Sequence, residues 1–207
     1  MLDEYRIGAF VANSAPEIPH LPSWLPWQLT ERTEALLRQH REDFTDDYLD
    51  EGDLVRHRSA QLDPTVVIDG PVVAGPNVSV GPNTVLRAGV FLGAGVRIGP
   101  SCEIKTSWIF ADAAVAHLSY VGNSVIGSDV NLEAGVVLAN HFNERTDKRI
   151  FVAAAVVPHD TGVTKFGALI GDGSRLGANA VTTPGTVLAP GTIVGRLQLV
   201  DQLSSPR

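Results

Sequence analysis

From Leu62 onward, apolar residues recur with a period of six. Written in sixes, the chain reads Leu62-Asp-Pro-Thr-Val-Val, Ile68-Asp-Gly-Pro-Val-Val, Ala74-Gly-Pro-Asn-Val-Ser, Val80-Gly-Pro-Asn-Thr-Val, Leu86-Arg-Ala-Gly-Val-Phe, Leu92-Gly-Ala-Gly-Val-Arg and Ile98-Gly-Pro-Ser-Cys-Glu. An aliphatic residue or alanine opens each six. Four places later stands a small residue: Val66, Val72, Val78, Thr84, Val90, Val96 or Cys102. The phase slips by one residue between Ile104 and Ile109, and again between Val121 and Ile126. It resumes at Ile126 and Leu132, and after a longer break at Ile170, Leu176, Thr182, Leu188 and Val194. A helix repeats near 3.6 residues and a plain strand at two, so neither satisfies this pattern. It predicts a parallel β-solenoid, mainly β in class. Each six forms one flat side, three sixes close a triangular coil, and coils stack about 4.8 Å apart. The opening aliphatic and the small residue point inward. Glycine, proline and asparagine serve the corners, where the backbone turns sharply.

The phase also sorts side chains by direction. Arg87 and Lys105 each follow an inward aliphatic, and they lie 18 residues apart, one full coil. They are therefore expected to stack at one corner. Like charges about 5 Å apart repel unless an anion sits between them; the alternative is a solvated pair screened by salt. His117 lies two residues after the inward Val115, on a corner. Tyr120 and Asn131 each precede an inward aliphatic and so point outward. Cys102 takes an inward small position and reads as a core filler rather than a nucleophile.

Residues 1–61 lack this repeat and hold only two glycines, Gly8 and Gly52. Pro16, Pro19, Pro22 and Pro26 predict an extended lead-in. Thr30 reads as an N-cap before an acidic first turn. Ala35, Leu36, Leu37, Phe44 and Tyr48 form an imperfect amphipathic stripe, which predicts one helix over about 29–49, packed on the main domain or on a subunit neighbour. The expected organisation is an N-terminal extension (1–61) and a solenoid (62–200) interrupted by a loop at about 139–166. A loop of that length in a compact repeat is usually functional or mobile.

Composition narrows the function classes. The chain has 207 residues, 44% hydrophobic and 19% charged, enough to bury a core. Its formal charge of −7 argues against nucleic-acid binding. One cysteine rules out an intramolecular disulfide and a four-cysteine zinc site. His117 and His141 are 24 residues apart and the other histidines give no close pair within the repeat, so no zinc centre is expected. No apolar run approaches the roughly 18 residues of a membrane span. The acidic opening Met1-Leu-Asp-Glu-Tyr-Arg does not resemble a signal peptide, so a cytoplasmic protein is expected.

The stretch from Ala116 to Gly135, His117-Leu-Ser-Tyr120 and Ile126-Gly-Ser-Asp-Val-Asn131 included, resembles the acetyltransferase domain of the bifunctional glucosamine-1-phosphate acetyltransferase / N-acetylglucosamine-1-phosphate uridylyltransferase family. The likeness runs without a gap from about Leu86 to Asn140. The segment Thr161-Gly-Val-Thr-Lys-Phe-Gly-Ala-Leu-Ile-Gly-Asp-Gly is more similar to archaeal-type sugar-1-phosphate nucleotidylyltransferases that carry the same solenoid. The resemblance implies a left-handed β-helix and acetyl-CoA-dependent N-acetylation of an amino-sugar phosphate. By position, it implies His117 as general base, Arg87 and Lys105 as phosphate holders, and Tyr120 and Asn131 as further sugar-phosphate contacts. Asn140 falls near the reacting amine and thioester, and Lys148 at the loop lysine. Ala134 and Ala178 fall at coenzyme contacts. A homotrimer with sites between subunits is implied as well. The chain departs from the family in two places: His141-Phe142-Asn143 replaces Tyr-Asp-Gly, and Glu133 stands at a glycine position. Residues 1–61 contain no glycine-rich nucleotide loop, so uridylyl transfer is not expected. A second reading stays open: a catalytically silent sugar-phosphate-binding or trimerising subunit that partners a separate nucleotidylyltransferase.

Overall fold

The computed structural model describes residues 2–12, 20–44, 47–154 and 156–203. The expected lead-in across Pro16 and Pro19 lies outside the described residues. From residue 54 the chain winds into a left-handed parallel β-helix with three faces. The first face is a seven-stranded sheet of Gln61–Leu62, Ser79–Val80, Arg97–Ile98, Ala114–Val115, Asn131–Leu132, Arg175–Leu176 and Ile193–Val194. The second face carries the register Leu86↔Ile104↔Val121↔Leu138↔Thr182↔Val200. The third carries Ala74↔Leu92↔Ile109↔Ile126↔Ile170↔Leu188. These inward columns, with Val80, Ile98, Val115, Leu132 and Leu176 from the first face, make one buried core.

The two phase slips are two shortened coils. Arg97↔Ala114 and Ala114↔Asn131 are each seventeen residues apart rather than eighteen. The inward alternation survives because the missing residue comes out of a corner. Corners hold residues with left-handed backbone, among them Asn77, Asn83 and Asn179, which tolerate it, and Leu118 and Leu197, both at φ +59°, which do so only under strain.

The single helix expected over 29–49 is instead two short helices and a hairpin. Helix α1 spans Pro26–Glu31 and α2 spans Thr33–Gln39, with Arg32 breaking the ladder between them. Tyr48–Glu51 then pairs antiparallel with Leu54–His57 across a turn at Gly52, whose φ of +82° suits glycine. Phe44 and Tyr48, read as one helical stripe, are aromatic neighbours outside any helix, with ring centroids 5.2 Å apart. Leu54–Arg56 also pairs parallel with Val72–Ala74, so the solenoid begins earlier than position 62.

The extension covers the third face. Val73, Phe91, Trp108, Val125 and Leu169 point outward there, yet all are buried with Trp27, Leu29 and Leu37. Trp108 donates its indole N–H to Thr33 Oγ1 at 2.9 Å and stacks on Phe91 with centroids 4.9 Å apart. Burying a large apolar side chain is worth about 1.5–3 kcal/mol, so this column holds the extension down. Residues 139–166 join the same cluster. Phe142, Ile150, Val152, Val163 and Phe166 pack with Trp27 and Tyr5, and the Tyr5 hydroxyl donates to Ala153 O at 2.7 Å. A small hairpin, Phe151–Val152 with His159–Asp160, gives the insertion its shape. Its apolar half thus packs on the extension of its own chain. Asp172 accepts from the backbone N–H groups of Ala12 and Ser128, pinning the extension to a late coil.

Candidate functional site

The outward side of the second face gathers Arg87, Lys105, Tyr120 and Asn140. Arg87 and Lys105 are register partners on adjacent rungs, and Gly122 occupies the same column one rung further. The expected stacking of the two cations is therefore present. Glu103, two residues before Lys105, takes an ion pair with Arg87, Nη2 to Oε1 at 2.5 Å and Nε at 2.7 Å. Lys105 has no such partner at that distance among the described ion pairs. Burial pushes its pKa below the usual lysine value, and the nearby charges of Lys165 and Arg87 push the same way. An ammonium kept in that setting gains from an anionic ligand, because an opposite charge offsets both desolvation and repulsion.

Tyr120 sits beside Glu103 on the next rung and is half-buried. Burial, then the Glu103 carboxylate, raises its pKa; Arg87 and the nearby Asn140 amide act in the opposite sense. Gly122 makes this arrangement possible. A Cβ there would lie 2.5 Å from the Tyr120 hydroxyl and 2.8 Å from the Asn140 amide, so a side chain would evict both. Asn140 is buried and donates from Nδ2 to Asn123 Oδ1 at 2.6 Å.

His117 occupies the corner before the second face, exposed to solvent, with its carbonyl accepting from Gly135 N–H. It stands at the opposite end of that face from Lys105 and Gly122. Ala134 and Ala178 lie on the same corner of the following coils, linked through Asn179 N–H to Ala134 O. There Glu133 intervenes: its Oε2 accepts the Ala178 N–H at 2.8 Å, and its Oε1 pairs with Arg196 at 3.0 Å. Asn131 lies exposed on the first face, between Ala114 and Arg175, and is not brought to the Tyr120 group within one chain. Lys148 is committed elsewhere, its Nζ donating to Phe142 O and Asn143 O at 2.7 Å each.

Three residues here were not anticipated. Lys165 is exposed at the end of the insertion and close enough to Lys105 to shift it. Asn123 and Glu103 complete the surroundings of Asn140 and Arg87. Lys165 was visible in the Thr161–Gly173 motif, but the length of the insertion hid its return to the site. Among the described residues no cluster of His, Cys, Asp and Glu is arranged to hold a metal ion, and no helix is long and apolar enough to cross a membrane.

Residues 68–165, just under half of the chain, match the family described as the GMPPB C-terminal domain. The bifunctional protein GlmU of Methanococcus vannielii is 36% identical over 102 residues, which are 49% of this chain and 24% of that protein. The bifunctional sugar-1-phosphate nucleotidylyltransferase/acetyltransferase of Sulfurisphaera tokodaii is also 36% identical over 102 residues, 46% of this chain and 25% of that protein. The chain thus spans about a quarter of the length of these curated relatives. Among solved structures, a hexapeptide transferase family protein from Anaplasma phagocytophilum superposes with a TM-score of 0.50 at 14% identity, over 68% of this chain and 72% of that one. That likeness shows the fold. The chain carries a hexapeptide-repeat β-helix similar to the acetyltransferase part of such bifunctional proteins.

Proposed function

We propose that the protein transfers an acetyl group from acetyl-CoA to the amine of an amino-sugar phosphate of the glucosamine-1-phosphate type. The observation that carries this reading is the column of Arg87 and Lys105, joined by Lys165 and flanked by Tyr120 and Asn140. Three cations around a half-buried tyrosine and a buried asparagine suit a phosphate monoester with hydroxyls beside it.

In this reading the phosphate lies against Arg87 and Lys105, and Lys165 takes the role expected of Lys148. Tyr120 and Asn140 contact the sugar. The His117 imidazole takes a proton from the attacking amine, a general-base role that histidine suits. The amine nitrogen bonds to the thioester carbonyl carbon, the carbon–sulfur bond breaks, and the departing thiolate is protonated. No covalent enzyme intermediate forms. Ala134 and Ala178, both small, line the corner that takes the pantetheine arm of the co-substrate once Glu133 leaves the Ala178 N–H.

His117 stands on the corner at the other end of the face from Lys105, and Asn131 on a different face. We therefore place each site between copies in a homotrimer, with His117 and Asn131 facing a neighbour's cation column. Exposed Leu118 (70%), Leu197 (80%) and Leu199 (61%) around this face supply apolar surface for that contact. The compartment we assign is the cytoplasm.

A second reading keeps a specific observation: Glu133 already occupies the Ala178 N–H, on the corner assigned to the co-substrate. This favours a silent sugar-phosphate-binding or trimerising subunit for a separate nucleotidylyltransferase. Mass spectrometry of incubations with acetyl-CoA and glucosamine-1-phosphate, galactosamine-1-phosphate or plain glucosamine separates the two. The enzyme acetylates a phosphorylated amino sugar in preference to the free sugar. Tight sugar-phosphate binding without any acetylated product selects the silent subunit.

A further inference from the structure

We propose that Asn123 is a positioning residue, which fixes the orientation of the Asn140 side-chain amide toward the substrate. Asn123 is 7% exposed and holds a left-handed backbone, φ +44°, at the corner between the second and third faces. From there it ties together three segments. Its N–H donates to Lys105 O at 2.8 Å, and its carbonyl accepts from Gly167 N–H at 2.9 Å. Its Oδ1 accepts from Asn140 Nδ2 at 2.6 Å. One residue, by its backbone and its side chain, thus connects the cation rung, the asparagine at the start of the insertion, and Gly167, two residues after Lys165.

A primary amide has two unlike ends, and its partners decide which end faces a ligand. Asn140 donates from Nδ2 to Asn123, so its amide nitrogen is directed toward that corner and its Oδ1 is the atom available to accept from a substrate N–H or O–H. Without Asn123 the amide can turn over and present a donor where an acceptor is needed. The surroundings leave little other means of holding it. Asn140 O accepts from Phe166 N–H at 3.1 Å, which fixes the backbone but not the amide. Gly167 cannot carry a side chain to pack there, since a Cβ would fall 2.2 Å from Gly122 O. Behind it, Ser124 Oγ accepts from Ala168 N–H and donates to Gly122 O, so the shelf under Asn123 is already satisfied.

The orientation of the amide rests on geometry alone; its effect on turnover rests on the acetyltransferase reading. The test compares Asn123→Ala with Asn123→Asp, because aspartate can only accept and so preserves the bond only if Asn140 is the donor. The first readout is the Asn140 side-chain amide by NMR. Its protons exchange slowly in the wild type and in Asn123→Asp, and rapidly in Asn123→Ala. The second is kinetics with glucosamine-1-phosphate: Asn123→Ala loses about tenfold or more in kcat, since small misplacements at a reacting centre can cost up to about a hundredfold, while KM for acetyl-CoA stays put. Asn123→Asp retains most of kcat. An unchanged Asn140 signal in Asn123→Ala overturns the proposal, as does an Asp variant as impaired as the Ala variant. If the Asn140 signal responds as stated but the wild type acetylates nothing, the positioning contact stands and the acetyltransferase reading fails.

Discussion

Glu133 and Ala178, on neighbouring coils, are joined by a 2.8 Å hydrogen bond from the Ala178 N–H to the Glu133 carboxylate. The same carboxylate pairs with Arg196. A carboxylate that fills a backbone donor must be displaced before any ligand uses that donor. Glu133→Gly is therefore expected to raise acetyl-CoA affinity by roughly fivefold, the value of about 1 kcal/mol for one competing hydrogen bond. Calorimetric titration of both proteins checks it; equal or weaker binding by the variant would show that the co-substrate does not use this corner.

Lys105 carries a pH dependence with a definite sign. Its pKa is depressed by burial and by Lys165 and Arg87. The ammonium, and with it the phosphate affinity proposed for it, is lost as pH rises through that lowered value, earlier than for an ordinary lysine near 10.4. In the unliganded protein the depressed pKa means that the folded state sheds this proton first, so Lys105 contributes stability as pH rises. Lys105→Met is expected to abolish sugar-phosphate binding without lowering the melting midpoint. Lys105→Arg should keep binding at alkaline pH where the wild type loses it. Titrations at a series of pH values, with melting curves, measure both.

The extension is held by an apolar column rather than by ions. Trp108 is fully buried between Phe91 and the Thr33 hydroxyl. Trp108→Ala is expected to cost about 3–5 kcal/mol. Because the loss falls on the outer layer, residues 20–44 should become protease-sensitive while the β-type circular dichroism of the solenoid persists. Loss of the β signal at the same temperature as the proteolysis would mean that extension and solenoid are one cooperative unit.

Thr182 points into the core at a position that is aliphatic on most other coils. Its hydroxyl is buried without a hydrogen-bond partner. Thr182→Val removes an unsatisfied polar group at nearly constant shape and should stabilise by about 1 kcal/mol, or roughly 2–4 °C in melting midpoint.

The solenoid was legible because its interior repeats: Leu62, Val80 and Ile98 sit in one column that the period of six already lines up. The pairing of Arg87 with Lys105 followed from the same spacing. The covered third face was written in the sequence too. Val73, Phe91, Trp108, Val125 and Leu169 are apolar at outward positions, a signal that the inward pattern masked. The extension was harder. A stripe from Ala35 to Tyr48 looks helical in spacing, but its last two aromatics lie outside the helices and Tyr48 opens a strand, and tertiary packing on Trp108 selects two short helices. Lys165 comes near Lys105 only through the folded insertion, whereas the family resemblance pointed to Lys148. Asn123 reads in sequence as a corner asparagine, and only the folded return of Asn140 and Gly167 reveals its further contacts.

The most direct measurement is thiol release from acetyl-CoA in the presence of glucosamine-1-phosphate, comparing the wild type with His117→Ala. Cys102 is buried and its thiol pKa is pushed up by that burial, so the protein itself contributes little background. Sugar-dependent release by the wild type, lost by about a hundredfold or more in His117→Ala, is the expected result. Near wild-type release by His117→Ala would contradict the assigned base and, with it, the proposed chemistry.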